Sequence, residues 1–348
     1  MMALIDLRSD TVTLPTEAMR KAISCAVLGD DVFGEDPTIN LIETIAAERL
    51  GTEAALLVVS GTMGNITSVL THCARGVEVI LGDSSHIFLN EAGGMSALGG
   101  VFPHTIPNQP DGTLRLEDIE TAIRAENIHF PRTRLVCLEN THNRCYGAPL
   151  TPEYTASVAA LAKRHGLLLH LDGARIFNAA AALGVNVREL ARGCDSINVC
   201  LSKGLAAPVG SLICGSRAFI SRARRTRKML GGGMRQAGII AAAGIVALTE
   251  MTDRLAEDHA NSRRLAEGIV GIPGLATDPA RVLTNILYVD LIDKRFSDEE
   301  FLRRLAGKGI RLSHTGPARF RMLTHYGIGE AEIDAALNAL HEVMQGCS

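Results

Sequence analysis

A buried strand followed at once by a lone lysine is encoded by Asn198-Val199-Cys200-Leu201-Ser202-Lys203-Gly204. Residues 195–201 alternate between polar and apolar and end apolar, which predicts a strand, and Ser202-Lys203-Gly204 interrupts that pattern abruptly. Lys203 is therefore predicted at the carboxyl end of the strand, pointing into the crevice above the sheet. Taken alone, such a lysine is typical of a solvated loop.

A second apolar run, Leu167-Leu168-Leu169-His170-Leu171-Asp172, ends in a carboxylate. Open α/β sheets bind ligands at the carboxyl ends of their strands, so Asp172 and Lys203 are predicted to face one pocket. Pyridoxal phosphate requires both groups, because an amine forms a Schiff base with it and a carboxylate keeps its pyridine nitrogen protonated. The pair therefore predicts pyridoxal 5'-phosphate as the cofactor.

Short apolar strands alternate with helical segments through the first 250 residues, which predicts an α/β domain with a mostly parallel sheet and right-handed crossovers. From about residue 250 the pattern changes to that of a small α+β domain. We therefore predict a large cofactor-binding domain over residues 1–250, including an N-terminal arm at Leu7–Thr13, and a C-terminal domain over residues 251–348. The predicted strands of the first half are Ala54–Val59, Val77–Leu81, Val101–Ile106 and Arg134–Leu138.

The composition is that of an ordinary enzyme, with 348 residues of which 47% are hydrophobic and 21% are charged. A net charge of -3 gives no general reason to bind nucleic acid or an anionic membrane. The longest apolar run, Ala237–Leu248, is too short to cross a bilayer, and the N-terminus lacks the pattern of a secretory signal, which predicts a cytoplasmic location. The eight cysteines include no Cys-x-x-Cys pair, so buried free thiols and no metal site are predicted.

Several other residues are candidates for the same crevice. Ser60-Gly61-Thr62-Met63-Gly64-Asn65 turns from a strand into a helix, and it could form an anion cup for a phosphate or serve only as a turn and cap. His86 follows the strand at 77–81, where it could stack on a cofactor ring or be an ordinary loop residue. Arg321 lies among apolar neighbours on a predicted strand, where a guanidinium needs an anionic partner.

Six motifs, in order along the chain, carry a resemblance to a known family. The sequence resembles the low-specificity L-threonine aldolases from about residue 5 to residue 345. The motifs are Asp6-Leu7-Arg8-Ser9-Asp10-Thr11-Val12-Thr13, Gly29-Asp30-Asp31-Val32-Phe33-Gly34, Leu138-Glu139-Asn140-Thr141-His142-Asn143, His170-Leu171-Asp172-Gly173-Ala174-Arg175, Leu201-Ser202-Lys203-Gly204 and Gly231-Gly232-Gly233-Met234-Arg235-Gln236. The resemblance implies the fold of the fold-type-I pyridoxal-phosphate enzymes, with a seven-stranded mixed sheet in the large domain and a small C-terminal domain. It also implies a homotetramer, a dimer of dimers whose active sites lie between paired subunits.

The resemblance also implies a role for each candidate residue. Lys203 would form the Schiff base and Asp172 would contact the pyridine nitrogen. His86 would stack on the ring as a catalytic residue, with His129 near the substrate hydroxyl. The implied binding residues are Gly61 and Thr62 for the phosphate, Ser9, Arg175 and Arg321 for the substrate carboxylate, and Lys228 and Arg235 for the site of the neighbouring subunit. The chain departs from the family at Phe33, where many relatives have tyrosine, so any hydrogen bond from that hydroxyl is missing here.

The reaction that the resemblance implies is retro-aldol cleavage of L-threonine, L-allo-threonine and other β-hydroxy-α-amino acids to glycine and an aldehyde. Another pyridoxal-phosphate reaction, namely β-elimination, racemisation or serine hydroxymethyl transfer, would use the same lysine and aspartate. A nicotinamide dehydrogenase would also show alternating strands and helices, but no Gly-x-Gly-x-x-Gly follows the first strand. A binding module without catalysis would not need a buried lysine opposite an aspartate.

Overall fold

The computed structural model describes residues 4–346. Its strands and helices follow the chain in the alternating order that the sequence predicts. The strands are β1 (Ile5–Asp6), β2 (Ala54–Val58), β3 (Glu78–Gly82), β4 (Phe102–Ile106), β5 (Thr133–Glu139), β6 (Leu168–Asp172), β7 (Ser196–Cys200), β8 (Ser211–Gly215), β9 (Leu275–Ala276), β10 (Ile286–Leu291), β11 (Ile310–Arg311), β12 (Ser313–Gly316) and β13 (Arg319–Leu323).

Helices form most of the connections between these strands, and a helix is the last element of the chain. They are α1 (Glu17–Ser24), α2 (Pro37–Leu50), α3 (Gly61–His72), α4 (His86–Leu89), α5 (Gly94–Gly99), α6 (Leu116–Ala122), α7 (Pro152–Arg164), α8 (Ile176–Leu183), α9 (Val187–Ala191), α10 (Arg217–Met229), α11 (Gly238–Glu250), α12 (Leu255–Val270), α13 (Asp298–Gly307) and α14 (Glu330–Met344).

The principal sheet has seven strands in the order β2-β8-β7-β6-β5-β3-β4. All neighbouring pairs are parallel except the two that involve β8, which runs against both β2 and β7. The mostly parallel seven-stranded sheet predicted for an α/β fold is thus confirmed. Strands β3, β7 and β8 are buried along their whole length, as is typical of a sheet covered on both faces by helices, whereas the edge strand β4 is largely accessible.

The sheet register brings the predicted cofactor residues to one edge. Glu139 at the end of β5 lies beside Asp172 at the end of β6, and Asp172 lies beside Asn198 on β7. Because β2 and β3 point the same way, the turn into α3 and the turn that carries His86 emerge at the same edge. This common edge is the crevice that the sequence predicts.

The helix after β2 begins earlier than the sequence pattern suggests. The apolar run predicts a start near residue 66, but α3 begins at Gly61, because the Ser60 side chain caps it by accepting a hydrogen bond from the backbone N–H of Met63 at 3.2 Å. Gly61 and Thr62 therefore lie in the first helical turn, where backbone N–H groups lack acceptors within the helix.

The N-terminal arm packs against the C-terminal part of the chain. Its strand β1 pairs in parallel with β11, and Ile5 and Leu7 belong to the apolar cluster formed with β10, β13, α12 and α14. A four-stranded antiparallel sheet, in the order β12-β13-β10-β9, supports that cluster. The division of the chain into residues 1–250 and 251–348 stays a prediction.

The cysteine prediction is correct for most of the described thiols but wrong for Cys25. All seven cysteines within residues 4–346 are free, and Cys73, Cys137, Cys145, Cys200 and Cys214 are buried. Cys25 is exposed and Cys194 is half-buried, whereas Cys347 lies outside the described residues. Within that same part of the chain, no helix is both long and apolar enough to cross a membrane.

Candidate functional site

A cavity of about 540 Å³ opens at the carboxyl edge of the principal sheet. It is lined both by this edge and by the N-terminal arm and the β12–β13 hairpin. Five of the predicted site residues line it together: Ser9, His86, Arg175, Lys203 and Arg321. Its volume is in the range of small-molecule sites.

Asp172 lies at the same sheet edge, close to His86 but outside the lining of this cavity. Asn65 Nδ2 donates to one carboxylate oxygen at 2.9 Å, and the backbone N–H of Ala174 donates to the other at 3.2 Å. The residue is 2% exposed, so these two donors fix the direction of its carboxylate in a place that little water reaches.

His86 is oriented by a buried glutamate. Its Nδ1 lies 2.8 Å from Glu91 Oε1, and its backbone N–H donates to Glu139 Oε2 at 2.7 Å. Burial alone would lower the pKa of His86, but the hydrogen bond that its ring donates to Glu91 and the charge of Asp172 outweigh it and raise the pKa above its usual value. One ring nitrogen of His86 and one carboxylate oxygen each of Glu91 and Asp172 all lie within 4.8 Å of one another.

The carboxylates around His86 have opposite pKa shifts. Burial raises the pKa of Glu91. Burial would also raise the pKa of Glu139, but the charge of His142 and the backbone N–H groups of Asn143 and His86 outweigh it and lower that pKa. Glu139 therefore stays ionised and fixes the backbone at the start of α4, while Glu91 titrates nearer to neutrality.

Arg175 is already neutralised within the chain. Its Nε donates to Asp10 Oδ2 and its NH2 group to Asp10 Oδ1, both at 2.7 Å, and Asn285 Nδ2 donates to Asp10 at 3.3 Å. Burial opposes ionisation of Asp10, but the charge of Arg175 outweighs it and holds the pKa of Asp10 far below its usual range. Because Asp10 neutralises its charge, Arg175 offers the cavity oriented N–H donors but no unpaired positive charge.

Arg321 has no such carboxylate partner within the described part of the chain. One NH group donates to Asn143 Oδ1 at 2.8 Å and the other to the backbone carbonyl of Arg8 at 3.3 Å. Among residues 4–346, its buried Nε has no hydrogen-bond acceptor. Burial, together with the charge of Arg175, lowers the pKa of Arg321. A carboxylate that entered the cavity could therefore pair with this arginine.

Gly61 and Thr62 lie beside this cavity rather than in its lining. The Asn198 side chain donates to the backbone carbonyl of Gly61 at 3.1 Å, and a Cβ on Gly61 would lie only 2.6 Å from Cys200 Sγ. Glycine is therefore needed for the first turn of α3 to approach β7 so closely. The backbone N–H groups of that turn face the crevice edge and are suited to a phosphate.

The structure does not bring His129 to the cavity of its own chain. His129 lies in the segment between α6 and the amino end of β5, next to Phe130 and Pro131. It lines a separate cavity with Phe102 and Pro103, near the amino end of β4. Amino and carboxyl ends of parallel strands lie at opposite edges of a sheet, so only another copy of the chain can place this histidine in an active site.

Lys228, Arg235 and Phe33 also lie outside the cavity lining. Lys228 is an exposed residue in the last turn of α10, and Arg235 forms an ion pair with Asp30 at 3.0 Å. Phe33 is 73% exposed, so it makes little packing contact within its own chain.

The residues that sequence reasoning missed are polar partners of the predicted ones: the buried residues Asp10, Asn65, Glu91 and Glu139, and the half-buried Asn143. Four of them were present in the motifs as written, since Asp10 follows Ser9, Asn65 ends the Gly-rich turn, and Glu139 and Asn143 frame the end of β5. Glu91 had the weaker signal of a carboxylate five residues after His86. Only the folded chain shows which partner each of them selects.

Comparison with known proteins agrees with this geometry. Residues 6–292 match the family model described as beta-eliminating lyase. The chain is 50% identical to a probable low-specificity L-threonine aldolase 2 of Arabidopsis thaliana over 343 residues, which cover 97% of both chains. It is 49% identical to the low-specificity L-threonine aldolase of Escherichia coli K12 over 82% of this chain and 84% of that protein.

The chain belongs to the low-specificity L-threonine aldolase family. The fold agrees with that membership, because a solved threonine aldolase of Leishmania major superimposes with a TM-score of 0.84 over 97% of this chain and 99% of that one, at 21% identity. The predicted fold-type-I architecture is thereby confirmed. For a member of this family, the cavity at the carboxyl edge of the sheet is the candidate active site.

Proposed function

We propose that the protein binds pyridoxal 5'-phosphate at this edge and cleaves L-threonine, L-allo-threonine and related β-hydroxy-α-amino acids to glycine and an aldehyde. The observation that carries the proposal is that an amine, a half-buried imidazole and an arginine without a carboxylate partner among residues 4–346 line one cavity: Lys203, His86 and Arg321. These are the three groups needed to attach a carbonyl cofactor, accept a hydroxyl proton and hold an α-carboxylate.

The residues present fit this cofactor. Lys203 supplies the amine, Asp172 supplies a carboxylate for the pyridine nitrogen, and the first turn of α3 supplies N–H groups for the phosphate. The close approach of Gly61 to Cys200 keeps that turn free of side-chain bulk. When bound, the cofactor supplies an electron sink for the bond that breaks at the substrate α-carbon.

Substrate orientation falls to the arginines and the arm. Arg321 pairs with the α-carboxylate, while Arg175, fixed by Asp10, and Ser9 contribute further donors. A charge-assisted clamp of this kind fixes the substituents of the α-carbon, and thereby selects the bond that is held ready to break. The Ser9 side chain is itself held by Thr11, whose hydroxyl donates to it at 2.8 Å.

His86 is the proposed general base for the β-hydroxyl proton. With Nδ1 facing Glu91, the neutral ring carries its proton on Nδ1 and leaves Nε2 as the acceptor. The proton taken at Nε2 makes an imidazolium that Glu91 and Asp172 stabilise. Removal of the hydroxyl proton drives cleavage of the Cα–Cβ bond, and the aldehyde leaves from the open side of the cavity.

The description of the matched family model favours β-elimination as the second candidate reaction. That reaction would use the same amine and carboxylate but release ammonia rather than glycine. Purified protein loaded with pyridoxal phosphate should be incubated with L-threonine, L-allo-threonine and L-serine, with and without tetrahydrofolate. The proposal expects stoichiometric glycine and acetaldehyde from the two threonines. Ammonia as the main product, or strict dependence on folate, would contradict it.

We also propose a homotetramer, a dimer of dimers with shared active sites. This assembly is supported by His129, Lys228 and Arg235, which cannot line the cavity of their own chain, and by the exposed apolar residues Phe33 and Met229. Sedimentation equilibrium should give four times the mass of the chain. Mixing inactive Lys203→Ala chains with His129→Phe chains should move the ratio of rates on L-threonine and L-allo-threonine back towards the wild-type value only if sites are shared. The cytoplasmic location stays a prediction.

A further inference from the structure

A single buried amide connects three parts of the proposed active site. Asn65 Nδ2 donates to Asp172 Oδ2 at 2.9 Å and to Glu91 Oε1 at 2.7 Å. Glu91 Oε1 is also the atom that faces His86 Nδ1. Asn65 is 1% exposed, so no water competes for these contacts. One side chain therefore touches the carboxylate proposed for the pyridine nitrogen and the glutamate that orients the proposed base.

The orientation of the Asn65 side-chain amide, that is, which way its oxygen and its nitrogen point, is fixed by groups that can only accept hydrogen bonds. The backbone carbonyl of Gly61 accepts from Asn198 Nδ2, which donates its second hydrogen to Asn65 Oδ1 at 3.0 Å. With its oxygen thus engaged, Asn65 must present Nδ2 to Asp172 and Glu91. The reverse orientation would place an amide oxygen against two carboxylate oxygens, which repel it.

A buried histidine relay enforces the same orientation from behind. His170 Nε2 lies 3.1 Å from Asn65 Oδ1, and His170 Nδ1 lies 2.8 Å from Ser196 Oγ, which is also 2.8 Å from His72 Nε2. Burial lowers the pKa of His170 to about 4, so the ring is neutral and can donate from Nε2 while accepting at Nδ1. His170 and Ser196 are fully buried.

We propose that Asn65 is a positioning residue that holds Asp172 and, through Glu91, His86 in one fixed hydrogen-bonded arrangement. Glu91 is then a second positioning residue, which acts on the reaction only through His86. This inference rests on the proposed function for its kinetic readouts. It assigns the Asn65–Glu91 contact a role in the reaction beyond stabilising the fold.

A double-mutant cycle between Asn65→Leu and Glu91→Gln tests this coupling. Each single variant should lower kcat about ten- to a hundredfold, because each removes a hydrogen bond to a charged group. If both act through His86, the double variant should lie within about threefold of the worse single variant rather than show the product of the two losses. KM should change little, since Arg321 is untouched.

Cofactor affinity separates the two residues without measuring turnover. Titration of cofactor-free protein with pyridoxal phosphate should show about tenfold or more weaker binding for Asn65→Leu, which loses the donor to Asp172. Glu91→Gln should change that affinity less than threefold. Ser68→Ala is the matched control, because Ser68 lies on the same helix and its buried hydroxyl has no hydrogen-bond partner within the described chain. It should change neither quantity.

The acidic limb of the pH profile of kcat/KM is a further test, because a purely structural role of Glu91 would leave its position unchanged. Glu91→Gln removes the charge that helps raise the pKa of His86, so the limb of kcat/KM should shift to lower pH. Multiplicative losses in the cycle, an unshifted limb, or unchanged cofactor affinity in Asn65→Leu would each overturn the proposal.

If Asn65→Leu does not fold, Asn65→Asp, which is nearly isosteric and loses the donors when ionised, replaces it. Should the wild-type protein bind the cofactor but cleave no threonine, the proposed function fails while the affinity measurement still decides this inference.

Discussion

Replacing Asp10 with asparagine should destabilise the protein strongly, because it leaves the charge of Arg175 buried without a counter-ion. The pair is bidentate at 2.7 Å, with side chains that are 0% and 6% exposed. Removing one member of a buried ion pair typically costs about 3–5 kcal/mol in the free energy of unfolding. At about 2.1 cal/mol/K of unfolding entropy per residue, a chain of 348 residues should lose about 4–7 °C in Tm.

Asp290→Asn is the matched control, since Arg319 donates to Asp290 in the same bidentate geometry at 2.6 and 2.8 Å, but on the surface. Those side chains are 44% and 38% exposed, so the loss should be about 0–1 kcal/mol and Tm should fall by about 1 °C or less. Both variants should be scanned by calorimetry at one protein concentration, with and without cofactor.

The pH dependence of this effect has a definite sign. The folded-state pKa of Asp10 is lowered, so its contribution is fully present above the unfolded value of about 3.9 and is lost as pH falls through the lower folded value. The difference in Tm between wild type and Asp10→Asn should thus be constant from pH 5 to 8 and shrink only in acid. A Tm difference between wild type and Asp10→Asn no larger than that of Asp290→Asn would refute the reasoning.

The double variant Asp10→Leu with Arg175→Met should regain most of the stability, because no charge is left unpaired, while KM for amino acids stays raised.

Four further changes test the proposed site. Lys203→Ala should abolish the covalent link to the cofactor, and borohydride reduction with peptide mapping of the wild type should label no other lysine. Arg321→Ala should raise KM by about two to three powers of ten with cofactor still bound, since a desolvated ionic contact is lost; an unchanged KM would remove it from the carboxylate site. His86→Phe should keep the cofactor spectrum but lower kcat by about two to four powers of ten, and wild-type activity should fall as pH drops through a value above 6.5, because the pKa of His86 is raised. His129→Phe should mainly change the ratio of rates on L-threonine and L-allo-threonine, and an unchanged ratio would exclude it from contact with the hydroxyl.

The parts of the site that the sequence predicted are those fixed by local order. Lys203, Asp172 and His86 each follow a recognisable apolar strand, and parallel strands place their carboxyl ends together whatever the remaining sequence. The fold class could be predicted for the same reason. The start of α3 was misplaced, because a side-chain cap at Ser60 overrides the glycines and threonine that otherwise suggest a loop.

The pairing of charges could not be predicted, because it depends on contacts between distant segments. Arg175 and Arg321 look equivalent in sequence, as two arginines near an expected carboxylate. The folded chain gives Arg175 a carboxylate partner 165 positions away, whereas the acceptors that the described residues offer Arg321 are a side-chain amide and a backbone carbonyl. Because Asp10 offsets one of the two positive charges, a single carboxylate in the cavity leaves the clamp close to neutral, as a buried site requires.

The same principle explains why the N-terminal arm crosses between the two parts of the chain. Asp10 must reach Arg175 behind β6, while the backbone carbonyl of Arg8 must reach Arg321 on β13. The arm therefore links the carboxyl edge of the principal sheet to Arg321 of the smaller one, the proposed anion anchor, and its strand β1 is held by β11. A change that loosens β1 should consequently weaken the proposed grip on the substrate carboxylate before it affects Asp172, because the donors to the Asp172 carboxylate, Asn65 and Ala174, lie outside the arm. Lys203 should respond sooner than Asp172, since its backbone carbonyl accepts a hydrogen bond from the Thr13 hydroxyl of the arm at 3.1 Å.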